Sequence, residues 1–344
     1  YVMKGIAYSF MALVCCCGMV STDAFAAETL SDAFKNGKVS GELKAYYFNL
    51  DVTQPSRNTY LDASLVDTGV KLGYITDSFY GFKLGTTFQS SYSPFADNDA
   101  KRQFGGDMYG PGAVLSEFYL DYTFDKTNVK AGRQGIGAIT PLVRGSRSRM
   151  IEESFEGVMV ENRDIPSTIL IGGYISKFQA RTSVAGGTDT NNLESSISTF
   201  EKKMVFSNPL YIVKAVPFDG AYTLGVINKS IPNTVLIGNY VRVNNVTAPI
   251  SPVPSAVKVT GDINIYYAEV LHTIAMNGYK LGLDAMYVGS RLDSELGNKI
   301  ELNGNYYGIR ASIKDFKGFG AEVAYGWTSK NDGVIDSIGN GGMV

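Results

Sequence analysis

The stretch Ser116 to Phe124, SEFYLDYTF, limits this chain more tightly than any other feature. Phe118, Leu120, Tyr122 and Phe124 share one parity, and Glu117, Tyr119, Asp121 and Thr123 share the other. Alternation with a period of two describes a strand whose two faces meet different surroundings. The pattern returns in Phe79 to Tyr92, where Tyr80, Phe82, Leu84, Phe88 and Tyr92 oppose Gly81, Lys83, Gly85 and Thr87. It returns again in Gly278 to Gly289, with Lys280, Gly282 and Asp284 on the polar side, and in Gly318 to Thr328, with Gly320, Glu322 and Ala324.

These segments run longer than the roughly 5–6 residues of an ordinary globular strand. Their length suits a tilted crossing of a bilayer. Gly, Lys, Asp and Glu occupy the centre of the polar face, while aromatic residues mark the ends of the apolar face. An apolar outer band with aromatic girdles around a polar interior describes an outer-membrane β-barrel. Only a closed barrel satisfies strand backbones in lipid. The expected fold class is therefore an all-β, transmembrane, antiparallel barrel.

Thirteen such strands are expected: Lys38–Leu50, Leu61–Thr76, Phe79–Tyr92, Ser116–Phe124, Asn128–Gln134, Phe155–Asn162, Thr168–Ala180, Ala221–Asn228, Thr234–Val243, Asp262–Ala275, Gly278–Ser290, Asn303–Lys314 and Gly318–Lys330. One misfits. Glu269 shares parity with Ile263, Ile265, Tyr267 and Leu271, so either a bulge shifts the register there or the apolar side of that strand faces inward. Connections alternate between short ones, such as Asp77-Ser78, Arg163 to Ser167 and Lys229 to Asn233, and long ones, such as Ser93 to Leu115 and Arg181 to Gly220. Short turns on the periplasmic side and long loops outside are the asymmetry a barrel predicts. Two of the short connections run into near-copies of one sequence, Ile165 to Tyr174 (IPSTILIGGY) and Ile231 to Tyr240 (IPNTVLIGNY). Proline fixes φ and lacks a donor, which ends one strand before the next begins.

Ahead of the barrel, Met3-Lys4, the uncharged run Gly5 to Val20 and Ala24-Phe25-Ala26 form the pattern of a secretory signal peptide over residues 1–26, cut after Ala26. All 3 cysteines, Cys15, Cys16 and Cys17, lie within it. A mature chain of 27–344 then has no thiol chemistry and no disulfide. A net charge of -2 predicts no nucleic-acid partner. His272 is the 1 histidine, with no nucleophile elbow near it, so neither a Ser–His hydrolase nor a histidine metal site is expected. Asp97, Asp99 and Asp107 share a loop, but their spacing matches no calcium loop. No cofactor and no enzymatic activity are expected.

Parity places Lys44, Lys71, Lys83, Lys130, Lys280, Arg310 and Lys314 in the lumen, together with Glu42, Asp67, Glu117, Asp121, Asp284 and Glu322. The connection of about residues 135–154 is the chemically pointed one. Arg144, Arg147 and Arg149 are followed by Glu152, Glu153 and Glu156, with Arg133 just before. Guanidinium forks bind carboxylates bidentately and stay charged. Opposed charges across a narrow passage are how pores select by charge. These seven residues are the expected constriction, although Arg133 shares parity with Val129 and Ala131 and faces inward only if the strand ends or bulges near Gly132.

The same region carries a family resemblance. Val129 to Gln134 (VKAGRQ), Thr140-Pro141-Leu142-Val143, Gly145 to Met150 (GSRSRM), Ser154 to Gly157 (SFEG) and Ile165 to Thr168 follow one another in an order and spacing that resemble OprD-type bacterial outer-membrane porins. The resemblance implies a Gram-negative outer-membrane location and a barrel of about 18 strands. It implies a monomer or loose homotrimer, in contact with outer-membrane lipid and lipopolysaccharide, with a third outer loop folded inward. It also implies passive diffusion of small water-soluble solutes, often carboxylates or amino acids, past basic and acidic residues. Against that pattern the chain reads as a fragment lacking C-terminal strands. Many relatives carry an acidic residue where this chain has Arg147. A barrel acting as an adhesin or structural surface protein is the alternative reading.

Overall fold

The computed structural model describes residues 8–17, 27–51, 62–137, 140–147, 149–184, 195–207, 215–249, 258–330 and 332–339. In chain order the strands begin with β1 (Tyr8–Cys17), β2 (Lys38–Leu50), β3 (Ala63–Ile75), β4 (Phe82–Tyr92), β5 (Gly112–Phe124) and β6 (Thr127–Gln134). They continue with β7 (Ser154–Asn162), β8 (Thr168–Gln179), the two-residue β9 (Lys203–Met204), β10 (Phe206–Ser207) and β11 (Val216–Pro217), and β12 (Gly220–Asn228). The last are β13 (Thr234–Pro249), β14 (Lys258–Met276), β15 (Tyr279–Leu292), β16 (Asn305–Phe316), β17 (Phe319–Thr328) and the two-residue β18 (Ser337–Ile338). Helix α1 (Leu30–Lys35) precedes β2, α2 (Asn98–Phe104) lies between β4 and β5, and α3 (Ser294–Gly297) follows β15.

The long strands form a single 14-stranded antiparallel sheet in which each strand pairs with the previous and the next long strand along the chain. Such a meander gives every strand between its two ends a hydrogen-bonded neighbour on each side, which is what a lipid environment demands. β1 and β17 end the order and do not pair with each other among the described residues. β1 covers the region read as a leader. The structure lays it along β2 from Tyr8↔Leu50 to Cys17↔Gly41. An extended apolar segment there supplies partners to an edge that otherwise exposes its backbone.

All thirteen expected strands are present, β2 with the expected bounds and the others with shifted ends; Leu61, the expected start of β3, lies outside the described residues. The β13–β14 hairpin is longer than its sequence pattern, reaching Pro249 and Lys258 across an irregularity between Val243 and Val246. The turn expected at Asp77-Ser78 lies instead at Tyr80-Gly81, both with positive φ, closed by reciprocal hydrogen bonds between Phe79 and Phe82. That backbone matches the two-residue hairpin turns that follow strand twist.

Alternation of burial fixes the faces. Leu43, Leu72, Phe118, Leu120, Leu224, Tyr222 and Val323 are exposed on the outer side. Their inward neighbours divide into two apolar clusters under the long-loop end of the sheet. One joins Tyr46, Phe48, Leu50 and Leu65 to Phe104, Met150 and Ile151. The other joins Ile175, Val241, Val243, Ile263 and Ile265 to Leu142, Val143, Phe206 and Ile338. Loops therefore fold onto the inner face and bury it there. This resolves Glu269: Ile263, Ile265 and Tyr267 are buried inside, while Tyr266 and Val270 are exposed outside. The strand faces the opposite way from its hydropathy, because apolar inward residues pack on loops rather than on water.

The repeated sequence is one turn used twice. Thr168 N–H donates to Ile165 O at 3.0 Å and Thr234 N–H to Ile231 O at 3.1 Å. Pro166 and Pro232 take the second position, and Ser167 and Asn233 the third, each with φ 57. Proline second and positive φ third match the type II pattern. Each threonine hydroxyl then bonds back to the proline carbonyl, at 3.2 and 3.1 Å. Each turn also joins its neighbouring strand, through Lys229 N–H to Ser167 O and Thr273 N–H to Asn233 O. A β-branched residue is penalised by about 1–2 kcal/mol at such a φ. Asn233→Val is expected to lower the urea midpoint of the detergent-refolded protein accordingly, whereas Asn233→Gly leaves it unchanged or raises it.

Candidate pore constriction

The segment between β6 and β7 crosses the inner face of the sheet. It leaves β6 with Gly135 N–H donating to Glu117 Oε1 on β5 at 2.9 Å. Leu142 N–H then reaches Asn239 Oδ1 on β13 at 3.1 Å. On its return, Gln89 of β4 grips Glu152 twice, accepting from its N–H at 2.9 Å and donating to its carbonyl at 3.1 Å. Lys44 of β2 donates to the carbonyls of Arg149 and Met150 at 3.3 and 3.4 Å. Contacts on β2, β4, β5 and β13 establish that this loop spans the interior.

Glu152 is the electrostatic centre. Its Oε1 lies 2.7 Å from Lys71 Nζ and 3.3 Å from Lys44 Nζ, and its Oε2 lies 3.6 Å from Arg147. Arg147 also approaches Glu117 Oε1 at 3.7 Å, while Thr87 donates to Glu117 Oε2 at 2.7 Å. Burial alone would raise the Glu152 carboxyl pKa. The hydrogen bond from Lys71 and the charges of Lys71, Lys44 and Arg147 outweigh it and hold the group below the usual carboxylate range. The Arg147 side chain is 46% exposed, against 11% for Glu152 and 22% for Glu117. The cation faces the open interior and the carboxylates lie behind it.

The other expected constriction residues divide. Arg149 turns to Asp107 at 3.5 Å, which Arg181 also contacts at 2.5 Å. Arg181 lies 3.6 Å from buried Glu153, whose carboxylate also accepts from Ser146 N–H at 2.8 Å. This second group ties the inward loop to the β4–β5 and β8–β9 connections. Asp97 caps α2 by accepting from Ala100 N–H, and Asp99 lies 3.8 Å from Arg102, so the three aspartates of that connection do not converge. Arg144 is held through its backbone to Ile338 O, and its side chain makes no ion pair among the described residues.

Arg133 and Glu156 are not in this passage. They are in register with each other, and Arg133 is in register with Phe118, which is exposed on the outer face. Register partners share a face. Gly132, at φ 123, leaves the alternation intact, so Arg133 keeps the outward parity of Val129 and Ala131.

Of the lumen-facing set, Lys44 and Lys71 join the Glu152 centre. Lys130 lies 4.0 Å from Asp121 and over the Tyr119 ring. Asp284 pairs with Arg310 at 2.6 Å, with Glu322 3.7 Å from the same guanidinium. Lys280 is exposed and pairs with Asp315 at 3.3 Å. Sequence reasoning missed Gln89, Asp107, Arg181 and Asn239 as loop anchors. Parity pointed Gln89 and Asn239 inward, but nothing local says which loop an inward amide will hold.

Glu152→Gln leaves Lys44 and Lys71 without their shared carboxylate in a mostly buried setting. Removing one partner of a buried pair costs about 3–5 kcal/mol, and urea unfolding of the folded barrel is expected to report a loss of that order. The pKa of Glu152 is depressed in the folded state. Its stabilisation is therefore complete above the ordinary carboxylate range, about 4.3, and is lost as pH falls through the lower folded value. That acid-side loss should shrink in the Gln variant.

Among solved structures, Pseudomonas aeruginosa OccK9 (OpdG) superimposes with a TM-score of 0.67 at 16% identity, over 89% of this chain and 71% of that one. Acinetobacter baumannii OccAB2 gives 0.63 at 17% identity over 87% and 69%, and P. aeruginosa OccK8 (OprE) gives 0.64 at 12% over 90% and 72%. At these identities the likeness is one of fold, and the fold is that of outer-membrane barrels. No curated protein sequence matches the chain. The family model of the Campylobacter major outer membrane protein matches residues 3–343. With an antiparallel sheet of outward apolar and inward polar faces, crossed inside by a charged loop, the chain belongs to the Campylobacter major outer membrane protein family, a family of outer-membrane porins related to the OprD type.

Proposed function

We propose that this porin passes small water-soluble solutes passively and favours those carrying a carboxylate, with Arg147 as the selecting charge. The observation that carries the reading is the difference in exposure at the inward loop. The Arg147 guanidinium is nearly half exposed, while its partners Glu152 and Glu117 are largely covered. A passing anion meets five N–H donors in a planar fork. A passing cation meets the same guanidinium first and reaches the carboxylates only by displacing it. The pairs that hold the guanidinium are long, at 3.6 and 3.7 Å, so an exchange of partners sacrifices little. Zwitterionic solutes fit the same scheme through their carboxylate end, and their ammonium end reaches Glu117 or Glu152 once the guanidinium has changed partners.

No step in this reading needs a cofactor or a chemical reaction; selection is electrostatic. Zero-current potentials of the full-length protein in planar bilayers under a salt gradient test it. The wild type is expected to prefer chloride over potassium, and Arg147→Gln to lower that preference several-fold. Arg149→Gln, which removes a tie to Asp107 rather than the charge beside Glu117 and Glu152, is expected to change it less. An unchanged ratio in Arg147→Gln would overturn the assignment, and a folded barrel without conductance would favour an adhesin or structural role.

The reading includes export through a leader cut after Ala26, supported by the basic, apolar and Ala-x-Ala order of residues 1–26. Removal would take β1 away from β2. Intact mass and terminal sequencing of protein extracted from membranes should give a mature start at Ala27. A start that retains Tyr8 would sink this part of the reading.

A further inference from the structure

Three charged side chains stand on the outer wall rather than in the lumen. Arg133 on β6 is in register with Glu156 on β7, and Glu156 with Lys177 on β8. With Phe118 of β5 they form one outward row. All three lie within a few residues of the long connections, at the ends of their strands away from the short turns. Aromatic residues form a belt on the same face just below this level. Tyr174 packs on Tyr222 at 5.0 Å between ring centroids, and Tyr240 on Tyr266 at 5.3 Å. Such belts mark the boundary between hydrocarbon and headgroups. One alternation beyond Tyr240, Arg242 also points outward, two residues or about 7 Å along the strand. The cost of a charge on the lipid face falls steeply from the midplane to the interface. The row thus lies at headgroup depth on the outer side.

The internal arrangement of the row leaves donors unspent. Glu156 is shared: its Oε1 takes Lys177 Nζ at 2.8 Å and its Oε2 takes Arg133 Nε at 3.2 Å. Two cations on one carboxylate give a net positive row. The hydrogen bond of Arg133 to Glu156 runs through Nε, and its guanidinium lies over the Phe200 ring, 4.5 Å from the centroid. Arg242 differs, since its NH2 group already meets Asp262 at 2.5 Å. Arg133 and Lys177 are both 38% exposed.

We propose that Arg133 and Lys177 form a binding site on the outer wall for a phosphate group of an outer-leaflet lipid. Glu156 holds the two cations apart, Phe200 backs the guanidinium, and the acyl chains lie along the apolar wall of Phe118, Val158 and Tyr174. The inference rests on the outer-membrane placement of the barrel and on no property of the lumen. Arginine offers a fork that matches phosphate oxygens, and lysine offers a mobile point charge beside it.

Native mass spectrometry of the full-length folded protein in detergent, titrated with bis-phosphorylated lipid A and with its dephosphorylated form, tests the site. The wild type is expected to bind the phosphorylated lipid tenfold or more tightly than Arg133→Gln/Lys177→Gln does, about the worth of one charge-assisted hydrogen bond. The two proteins should bind the dephosphorylated lipid alike. Glu156→Gln removes the competing carboxylate and should bind the phosphorylated lipid more tightly than the wild type; no gain there would indicate a purely structural ion row and overturn the site. Equal binding by wild type and double variant overturns it too. Loss of an oligomer in the double variant, with lipid binding unchanged, would identify a contact between copies of the chain instead. Conductance and ion selectivity of the double variant should equal those of the wild type, so this test fails separately from the one on Arg147.

Discussion

Every strand of this protein answers to one constraint: in hydrocarbon, a backbone N–H or C=O without a partner costs several kcal/mol. An antiparallel meander with short turns meets that demand with the fewest residues, since each strand finds its partner in the one just made. The constraint explains why the turns are so closely specified. Ser167 and Asn233 accept a positive φ that most residues avoid, because the return has to deliver the next strand in register. Their carbonyls then receive N–H groups from Lys229 and Thr273. A turn that also bonds to the neighbouring hairpin leaves little backbone unsatisfied at the rim.

Once the strands are paired, their inward side chains create a second demand. Lys44 is 4% exposed and Glu152 is 8% exposed, so both are charges taken largely out of water. Such groups persist only when hydrogen bonds satisfy them as well as ion pairs. Lys44 meets this with two loop carbonyls in addition to Glu152. The loop in turn gains a fixed path across the interior. Ionic and backbone requirements are met together, which is why the inward loop is anchored to so many strands at once.

Alternation in the sequence was enough to find the strands and, for most, their facing. Lys44 and Lys71 meet at Glu152, Lys130 lies near Asp121, and Asp284 pairs with Arg310, each partner sharing the parity that the sequence assigned. Where parity failed to decide, the missing information was tertiary. In β14 the apolar side of Ile263 and Ile265 turns inward because Leu142, Val143 and the 334–338 segment pack there. Hydropathy cannot tell burial against protein from burial against lipid. Arg133 shows the converse. Its parity was outward throughout, and proximity in sequence to the arginine-bearing loop did not change its face. The division of the loop arginines was not legible at all. Asp107 and Arg181 lie in other loops, and no local pattern announces which of several arginines they will claim.

The anchoring chemistry also separates the path of the inward loop from the charge it presents. The inward loop is held mainly through its main chain, by Gln89 at Glu152, Lys44 at Arg149 and Met150, Asn239 at Leu142 and Glu117 at Gly135. Arg147 contributes only two long ion pairs to that framework. Its side chain can therefore change without moving the loop that presents it, whereas Glu152 and Gln89 cannot. The path of the loop thus rests on buried amides and carbonyls, and the exposed Arg147 guanidinium is a small part of what holds it.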